Sequence, residues 1–277
     1  MSNTVTTKLL YFSPPADGSS PFIYINADPA SGTRRRNWEH EPHDVQVENI
    51  RGKEDTFSLD GSGFQYGRRA STHESFLSNG AVEREYYPES IALVKELTGA
   101  SRVVPFDHTI RRRRPGEVDD SPEKRQPVPQ VHVDQTPQSA RARVERHLPA
   151  EDVPELLAHR FQIINLWRPI AEPAYDWPLA LCDFASVDAK NDLVPVALKY
   201  PDRDGETFGV NSTRTTSSNI CAGWNRTMLI DRLHSYDSRD DGKTASFTPH
   251  TAFEDPTTPP GAPLRESIEL RLLVFYD

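Results

Sequence analysis

The C-terminal run RESIELRLLVFYD constrains the fold more than any other stretch of the chain. With a period of two, it is a strand that carries Arg265, Ser267, Glu269 and Arg271 on one face. Other strand-like runs are scattered over the whole sequence: PFIYIN (core 22–26), SRVVPF, QVHVD, FQIINLWR, PVALKY and RTMLIDRL. Short strands spread this way predict a mainly β sandwich or barrel with helices added outside. The 24 prolines against 14 glycines fit many turns and exclude a helical bundle.

YYPESIALVKELTGA is the clearest helix. Pro88 suits its first turn, Glu89 favours the N-terminal dipole, Ile91, Val94 and Leu97 share a face, and Gly99 can end it. TPQSARARVERHLPAEDVPELLAHR reads as one or two helices, opened by Pro137 and, for the second, by Glu151 or Asp152. HTIRRRRPGEVDDSPEKRQPVP reads as loop, with a mobile charged insertion around 111–128. GETFGVNSTRTTSSNICAG reads as loop, and HSYDSRDDGKTASFTPH as a long polar connection.

The 277 residues, 36% hydrophobic, suffice for one sizeable core and are expected to form one domain. A formal charge of −9 argues against nucleic acid as the main partner, because phosphate binding needs a basic face. Two cysteines, Cys182 and Cys221, make neither a disulfide framework nor a cysteine zinc site, and reduced thiols in a cytoplasmic protein are expected. The start, MSNTVTTKLLYF, lacks the apolar run of a signal peptide, and no segment approaches a membrane span. The sequons at Asn211 and Asn225 then carry little meaning.

The chemistry is concentrated in VHVD. On a strand, His132 and Asp134 project to one side and can reach one ion, while Val131 and Val133 pack the other way. With nine histidines and 41 acidic residues, chance alone supplies about one such His-x-acid pair, so the spacing is weak by itself. A 2-His-1-carboxylate triad needs a further histidine from another strand. His250 is the best candidate, since it ends a long loop and precedes Ala252 and Phe253. Downstream, Arg265 and Ser267 can hold a carboxylate by a charge-assisted hydrogen bond with an added hydroxyl. 2-Oxoglutarate has such a distal carboxylate, and its keto-acid end chelates iron. Arg271 is the reserve for the same task.

Several stretches resemble, as a set and in order, the fungal GA4 desaturase and AsaB-type hydroxylase/desaturase family of non-haem Fe(II)/2-oxoglutarate-dependent oxygenases, which also resembles cephalosporin-methoxylation-related proteins. They are ENIRGKEDTFSLDGSGFQYG, YYPESIALVKELTGASRVVPFDHTIRRR, VHVDQT, NLWRPI, DWPLALCD, YDS, PHTAFEDP and RESIELRLLVFYD. The resemblance implies a double-stranded β-helix (a jelly roll) and a single oxygenase domain using Fe(II), 2-oxoglutarate and O2. It implies iron ligation by His132, Asp134 and His250, and co-substrate binding by Arg265 beside Ser267. It further implies hydroxylation, desaturation or ring closure on a small metabolite, in secondary metabolism. A ligating Asp134 argues against halogenation, which vacates the carboxylate position for chloride.

Other residues are weighed against plainer roles. Asn165 and Arg168 lie on a predicted strand, and Arg168 is a candidate for a substrate or co-substrate carboxylate, against a structural ion pair near Trp167. Asp107 and His108 suit a hydrogen-bonded loop, and His40 and His43 a solvated one. His234, Tyr236 and Asp237 lack a downstream arginine at the right place and read as supporting or loop residues. The basic runs 34–36 and 111–114 suit solvated faces, and Trp38, Trp167, Trp177 and Trp224 suit core or pocket walls. Competing functions are a non-oxidative metal enzyme on the same barrel, a hydrolase or isomerase, and a catalytically dead binding barrel. The hydrolase would need no Arg265, and the retained ligands with the Arg-x-Ser pair argue against the dead barrel.

Overall fold

The computed structural model describes residues 4–28, 30–119, 121–212 and 231–277. Cys221, Trp224, Asn225 and the 226–230 part of the predicted strand RTMLIDRL lie outside them. The strands are β1 (Thr4–Ser13), β2 (Phe22–Tyr24), β3 (Glu39–Glu48), β4 (Phe64–Gly67), β5 (Arg102–Arg112), β6 (His132–Val133) and β7 (Phe161–Pro169). They continue as β8 (Leu179–Leu181), β9 (Leu193–Lys199), β10 (Asp204–Val210), β11 (Asp231–Asp237), β12 (His250–Ala252) and β13 (Glu266–Phe275). One sheet has the order β2-β9-β10-β6-β12-β8, a second β4-β11-β7-β13-β5, and β1 pairs with β3. The chain is mainly β with few helices, as its patterning predicts.

The five-stranded sheet has two unlike faces. On one, Ile164, Leu166, Leu233, Ile268, Leu270 and Leu272 pack with Leu93 and Val94 of the helix Tyr87–Thr98. On the other, the register sets two rows of side chains across the strands. One row is Tyr66, Arg232, Trp167, Glu269 and Thr109; the next is Phe64, His234, Asn165, Arg271 and Asp107. Burying each leucine of the first face is worth roughly 1.5–3 kcal/mol. A one-residue slip would exchange that face for the polar rows, so the register is strongly fixed.

The helix Tyr87–Thr98 has Pro88 in its first turn and ends at Gly99, whose φ of 71° is the left-handed conformation glycine tolerates. Glu89 does more than meet the helix dipole: it accepts hydrogen bonds from Thr72 N at 2.9 Å and Thr72 Oγ1 at 2.6 Å. The stretch 136–160 forms two helices, Pro137–His147 and Val153–Ala158, packed on Phe161, Ile163, Leu273 and Phe275.

Four stretches differ from the sequence expectation. GETFGV forms β10 instead of a loop, pairing with β9 and with β6, where Gly209 lies opposite His132. A Cβ on Gly209 would stand 2.6 Å from the Phe12 ring, so the close approach requires glycine. HEPHD belongs to β3, not to a solvated loop, because Val45 and Val47 at the end of that strand are buried with Val5, Leu9 and Tyr11 of β1. HTIRR extends β5, where it pairs with β13, and HSYD belongs to β11. Around the charged insertion, Arg112 pairs with Glu266 at 2.8 Å, Arg125 with Asp119 at 2.9 Å, and Arg113 N donates to the Arg265 carbonyl at 2.8 Å.

Candidate metal centre

β6 is short, but it is held on every side. Its neighbours are β10 and β12, and Val131 N donates to the Leu10 carbonyl at 2.8 Å. Val131 and Val133 are buried in the core between this sheet and the β1–β3 ladder. Period two then turns His132 and Asp134 to the opposite side. His250, on β12, is the direct register partner of His132. One ligand atom from each of His132, Asp134 and His250 lies within 4.8 Å of the others.

The hydrogen bonds fix which atoms converge. His132 Nδ1 lies 2.8 Å from the Gln130 carbonyl, and His250 Nδ1 lies 3.0 Å from the Thr248 carbonyl. A carbonyl only accepts, so each Nδ1 carries a proton, and in the neutral imidazole each Nε2 keeps its lone pair. Those Nε2 atoms stand 3.4 and 4.0 Å from Asp134 Oδ1. The other carboxylate oxygen is engaged elsewhere: Asn165 Nδ2 donates to Oδ2, and Arg271 Nε lies 3.7 Å from it. Two lone pairs and one anionic oxygen therefore meet at a point, which is a donor set for a cation.

The electrostatics agree. Burial raises the Asp134 carboxyl, but His132, Arg271 and His250 outweigh it and hold the group well below the usual carboxylate range. Burial, with His132 and His234 beside it, pushes His250 down to about 3. For His132 burial acts downward and the Asp134 carboxylate prevails, raising it. An ionised carboxylate and a neutral His250 are the protonation states that metal ligation requires. The His132 and Asp134 side chains are 18% and 22% exposed against 4% for His250, so the cluster opens on the side of β6.

Arg265 lies just before β13 and is 2% exposed. Its Nε donates to Ser267 Oγ at 3.1 Å, its Nη1 to the Trp177 carbonyl at 2.8 Å, and its guanidinium lies 5.0 Å from the centre of the Trp167 ring. No carboxylate among the described residues forms an ion pair with it. Burial first, then the Arg111 and Arg232 cations, push Arg265 down to about 9. A buried cation without an ion-pair partner is costly, and an anion brought to it would be well matched.

Arg168 is not brought to the cluster. Three residues from Asn165 along one strand, it falls on the opposite face, where it grips Asp231 through both carboxylate oxygens, with Nη2 to Oδ2 at 2.7 Å. Its role in the structure is the ion pair near Trp167. Asn165 touches the Asp134 carboxylate, and Arg271 is engaged by Asp107 at 2.7 Å and Glu269 at 2.6 Å. His40 and His43 lie away on β3, and His108 shares a hydrogen bond with Tyr87 at 2.8 Å.

His234, read from the sequence as a supporting or loop residue, stands beside the cluster on a strand. It is buried on β11, with its ring 4.4 Å from that of His250. With His250 and Glu269 it makes a second group of potential ligand atoms within 4.8 Å of one another, although Glu269 is already paired with Arg271. Its signal in the sequence was its place in line with Arg232 and Tyr236 at period two. Gln135 and Tyr236 border both the cluster and a cavity of about 410 Å³, whose walls include Leu193, Pro195, Phe208 and Phe247.

A family described as an oxidoreductase/YMDC permease-like domain matches residues 9–275. Among the described residues no helix is long and apolar enough to cross a membrane. The chain is 33% identical to the Fe(II)/2-oxoglutarate-dependent dioxygenase nvfI of Aspergillus novofumigatus, over 97% of this chain and 96% of that one. It is 35% identical to the hydroxylase/desaturase efuI of Hormonema carpetanum, over 100% of this chain and 96% of that one. Its structure superposes on that of the iron and alpha-ketoglutarate-dependent endoperoxidase NvfI with a TM-score of 0.86 at 29% identity, covering 99% and 98% of the two chains.

Proposed function

The chain belongs to the family of Fe(II)/2-oxoglutarate-dependent dioxygenases that includes fungal hydroxylase/desaturases, and from that premise we propose that His132, Asp134 and His250 hold its iron and Arg265 its co-substrate. The reaction is oxidation of a small metabolite by hydroxylation, desaturation or ring closure, in secondary-metabolite biosynthesis. We read the two facing sheets as a double-stranded β-helix and the chain as one oxygenase domain.

The observation that carries the ligand assignment is the convergence of His132 Nε2, His250 Nε2 and Asp134 Oδ1, with both Nδ1 atoms tied to backbone carbonyls. Bound iron and 2-oxoglutarate supply the oxidising chemistry, in which O2 is consumed and 2-oxoglutarate leaves as CO2 and succinate while a substrate C–H bond is oxidised. The protein's part is placement. Gln130 and Thr248 fix the tautomers of the two imidazoles. Asn165 turns the carboxylate so that one oxygen faces them. Arg265 and Ser267 meet the distal carboxylate of the co-substrate. The mostly apolar cavity beside Gln135 and Tyr236 takes the substrate, and the C–H bond is brought to the metal from that side.

An anaerobic titration tests the assignment. Fe(II) followed by 2-oxoglutarate should produce the weak visible charge-transfer band of keto-acid-chelated iron, and His132→Ala and Arg265→Ala should each weaken it. Iron binding with no band would overturn the co-substrate site. A full band in His132→Ala would overturn the ligand set.

A further inference from the structure

Two residues on β11 hold four buried nitrogens that find no hydrogen-bond partner among the described residues: Nε and Nη1 of Arg232, and Nδ1 and Nε2 of His234. The residues are 2% and 3% exposed. Being two apart on a strand, they share a face, and the register places that face with Trp167 and Asn165. Buried polar atoms are almost always bonded, and a lone guanidinium is the costliest to leave bare. Two such residues side by side point to a missing ligand with an acceptor at each end.

The neighbours say where the ends lie. The Arg232 guanidinium is 4.5 Å from the centre of the Trp167 ring, and that of Arg265 is 5.0 Å from the same centre. No acid among the described residues forms an ion pair with either. The acid nearest in the register row of Arg232 is Glu269, which Arg271 already engages at 2.6 Å. The His234 ring, in turn, lies 4.4 Å from the ring of His250, at the metal end. The face of β11 thus runs from the metal ligands to a pair of unneutralised cations.

We propose that Arg232 and His234 form a second wall of the co-substrate site, with Arg232 sharing the distal carboxylate of 2-oxoglutarate with Arg265 and His234 donating its N–H to the keto-acid end. This rests on the reading above. It adds that a dianion is selected: a keto acid lacking the distal carboxylate leaves two buried cations bare and binds poorly.

The test is anaerobic titration of the Fe(II)-loaded protein with 2-oxoglutarate and with pyruvate, followed by the charge-transfer band, together with thermal denaturation of the apo-protein. Arg232→Met should raise the dissociation constant for 2-oxoglutarate about tenfold or more, while the apo-protein melts no lower than wild type, because an unpaired buried cation has been replaced by an apolar chain of similar length. The same variant should narrow the preference for 2-oxoglutarate over pyruvate. His234→Leu should shift the band and weaken 2-oxoglutarate while leaving Fe(II) affinity unchanged. A lower melting point with unchanged 2-oxoglutarate binding in Arg232→Met would make the residue structural and overturn the proposal. Loss of Fe(II) binding in His234→Leu would make it a ligand, with the same consequence. If the wild-type protein itself gives no band with 2-oxoglutarate, the underlying assignment falls, and this one with it.

Discussion

Replacing Asn165 with leucine isolates the support beneath the carboxylate. Asn165 Nδ2 donates to Asp134 Oδ2, and the cation at that oxygen, Arg271 Nε, stands at 3.7 Å, too far for a hydrogen bond. A hydrogen bond to a charged partner contributes about 1.5–3 kcal/mol. Leucine keeps the heavy-atom count and branching of asparagine but is bulkier, and Ile163 and Leu273 already give this face apolar neighbours. Repacking should then cost about 1–3 kcal/mol of stability. Without its donor the carboxylate can turn about its last torsion, and Oδ1 is no longer held toward the imidazoles. At about 1.4 kcal/mol per factor of ten, the expected result is Fe(II) affinity weaker by roughly 10- to 100-fold. Anaerobic competition between the apo-protein and a chromophoric chelator measures it, with far-ultraviolet circular dichroism to check the fold. Affinity within twofold of wild type, in a folded variant, would refute the claim that Asn165 orients the ligand.

Arg265→Lys keeps the charge but loses the planar fork, and 2-oxoglutarate should bind at least about tenfold more weakly while Fe(II) affinity stays unchanged, both read by the same titration. Arg168→Ala strands the buried Asp231 carboxylate; chemical denaturation should show a loss of about 3–5 kcal/mol, and Fe(II) affinity per folded molecule should not move. The apo-protein should lose stability on acidification. Burial pushes His234 down to about 4, below the 6.5 of an unfolded histidine, so between those values the unfolded chain binds more protons and stability falls as pH falls. The His234 contribution is about 3 kcal/mol by pH 4, and His234→Leu should flatten that part of the profile; an identical profile would refute it. Gly209→Ala drives a Cβ to 2.6 Å from the Phe12 ring, opposite His132, and should cost about 1–3 kcal/mol of stability through overpacking, read as a lower melting temperature.

The candidate metal cluster was legible because its parts follow strand arithmetic. His132 and Asp134 are two apart, Arg265 and Ser267 are two apart, and the structure places each pair on one side of its strand. The same arithmetic separates Asn165 from Arg168: three residues apart, they cannot share a face, and Arg168 is buried against Asp231 instead. What failed was reading polarity as loop. HSYD and GETFGV look like connections, yet both are paired strands, and β11 is buried along nearly its whole length. Its polar residues are buried on both faces: Asp231 and Asp237 are paired with Arg168 and Arg160, while Arg232 and His234 share the face that carries Trp167 and Asn165. Polarity alone does not distinguish such a strand from a solvated connection. The β1–β3 ladder was hidden for a related reason. Most of β3 is polar and its β-branched residues are confined to Val45 and Val47 near one end, too few to signal a strand without knowing that β1 lies beside it.

The two sheets divide the chemistry between them. The proposed iron ligands come from β6, the residue after it, and β12, in a sheet whose other face packs against β1 and β3. Arg265, Arg232 and His234 come from, or stand at the edge of, the five-stranded sheet, whose other face packs against the helix Tyr87–Thr98. Each half is braced by its own apolar core, so a substitution behind one half need not disturb the other. The row His234, Asn165, Arg271 spans the gap, and through Asn165 and Arg271 it reaches Asp134. Arg271 also engages Glu269, which shares a row with Arg232 and Trp167. On the proposal made for Arg232, charge placed beside it by the co-substrate would be felt at the Asp134 carboxylate through two contacts, one of them an ion pair at 2.6 Å. Affinities for iron and for 2-oxoglutarate should be coupled through this row, and substitutions at Asn165 or Arg271 should change the coupling, whereas substitutions in either outer core should change stability alone.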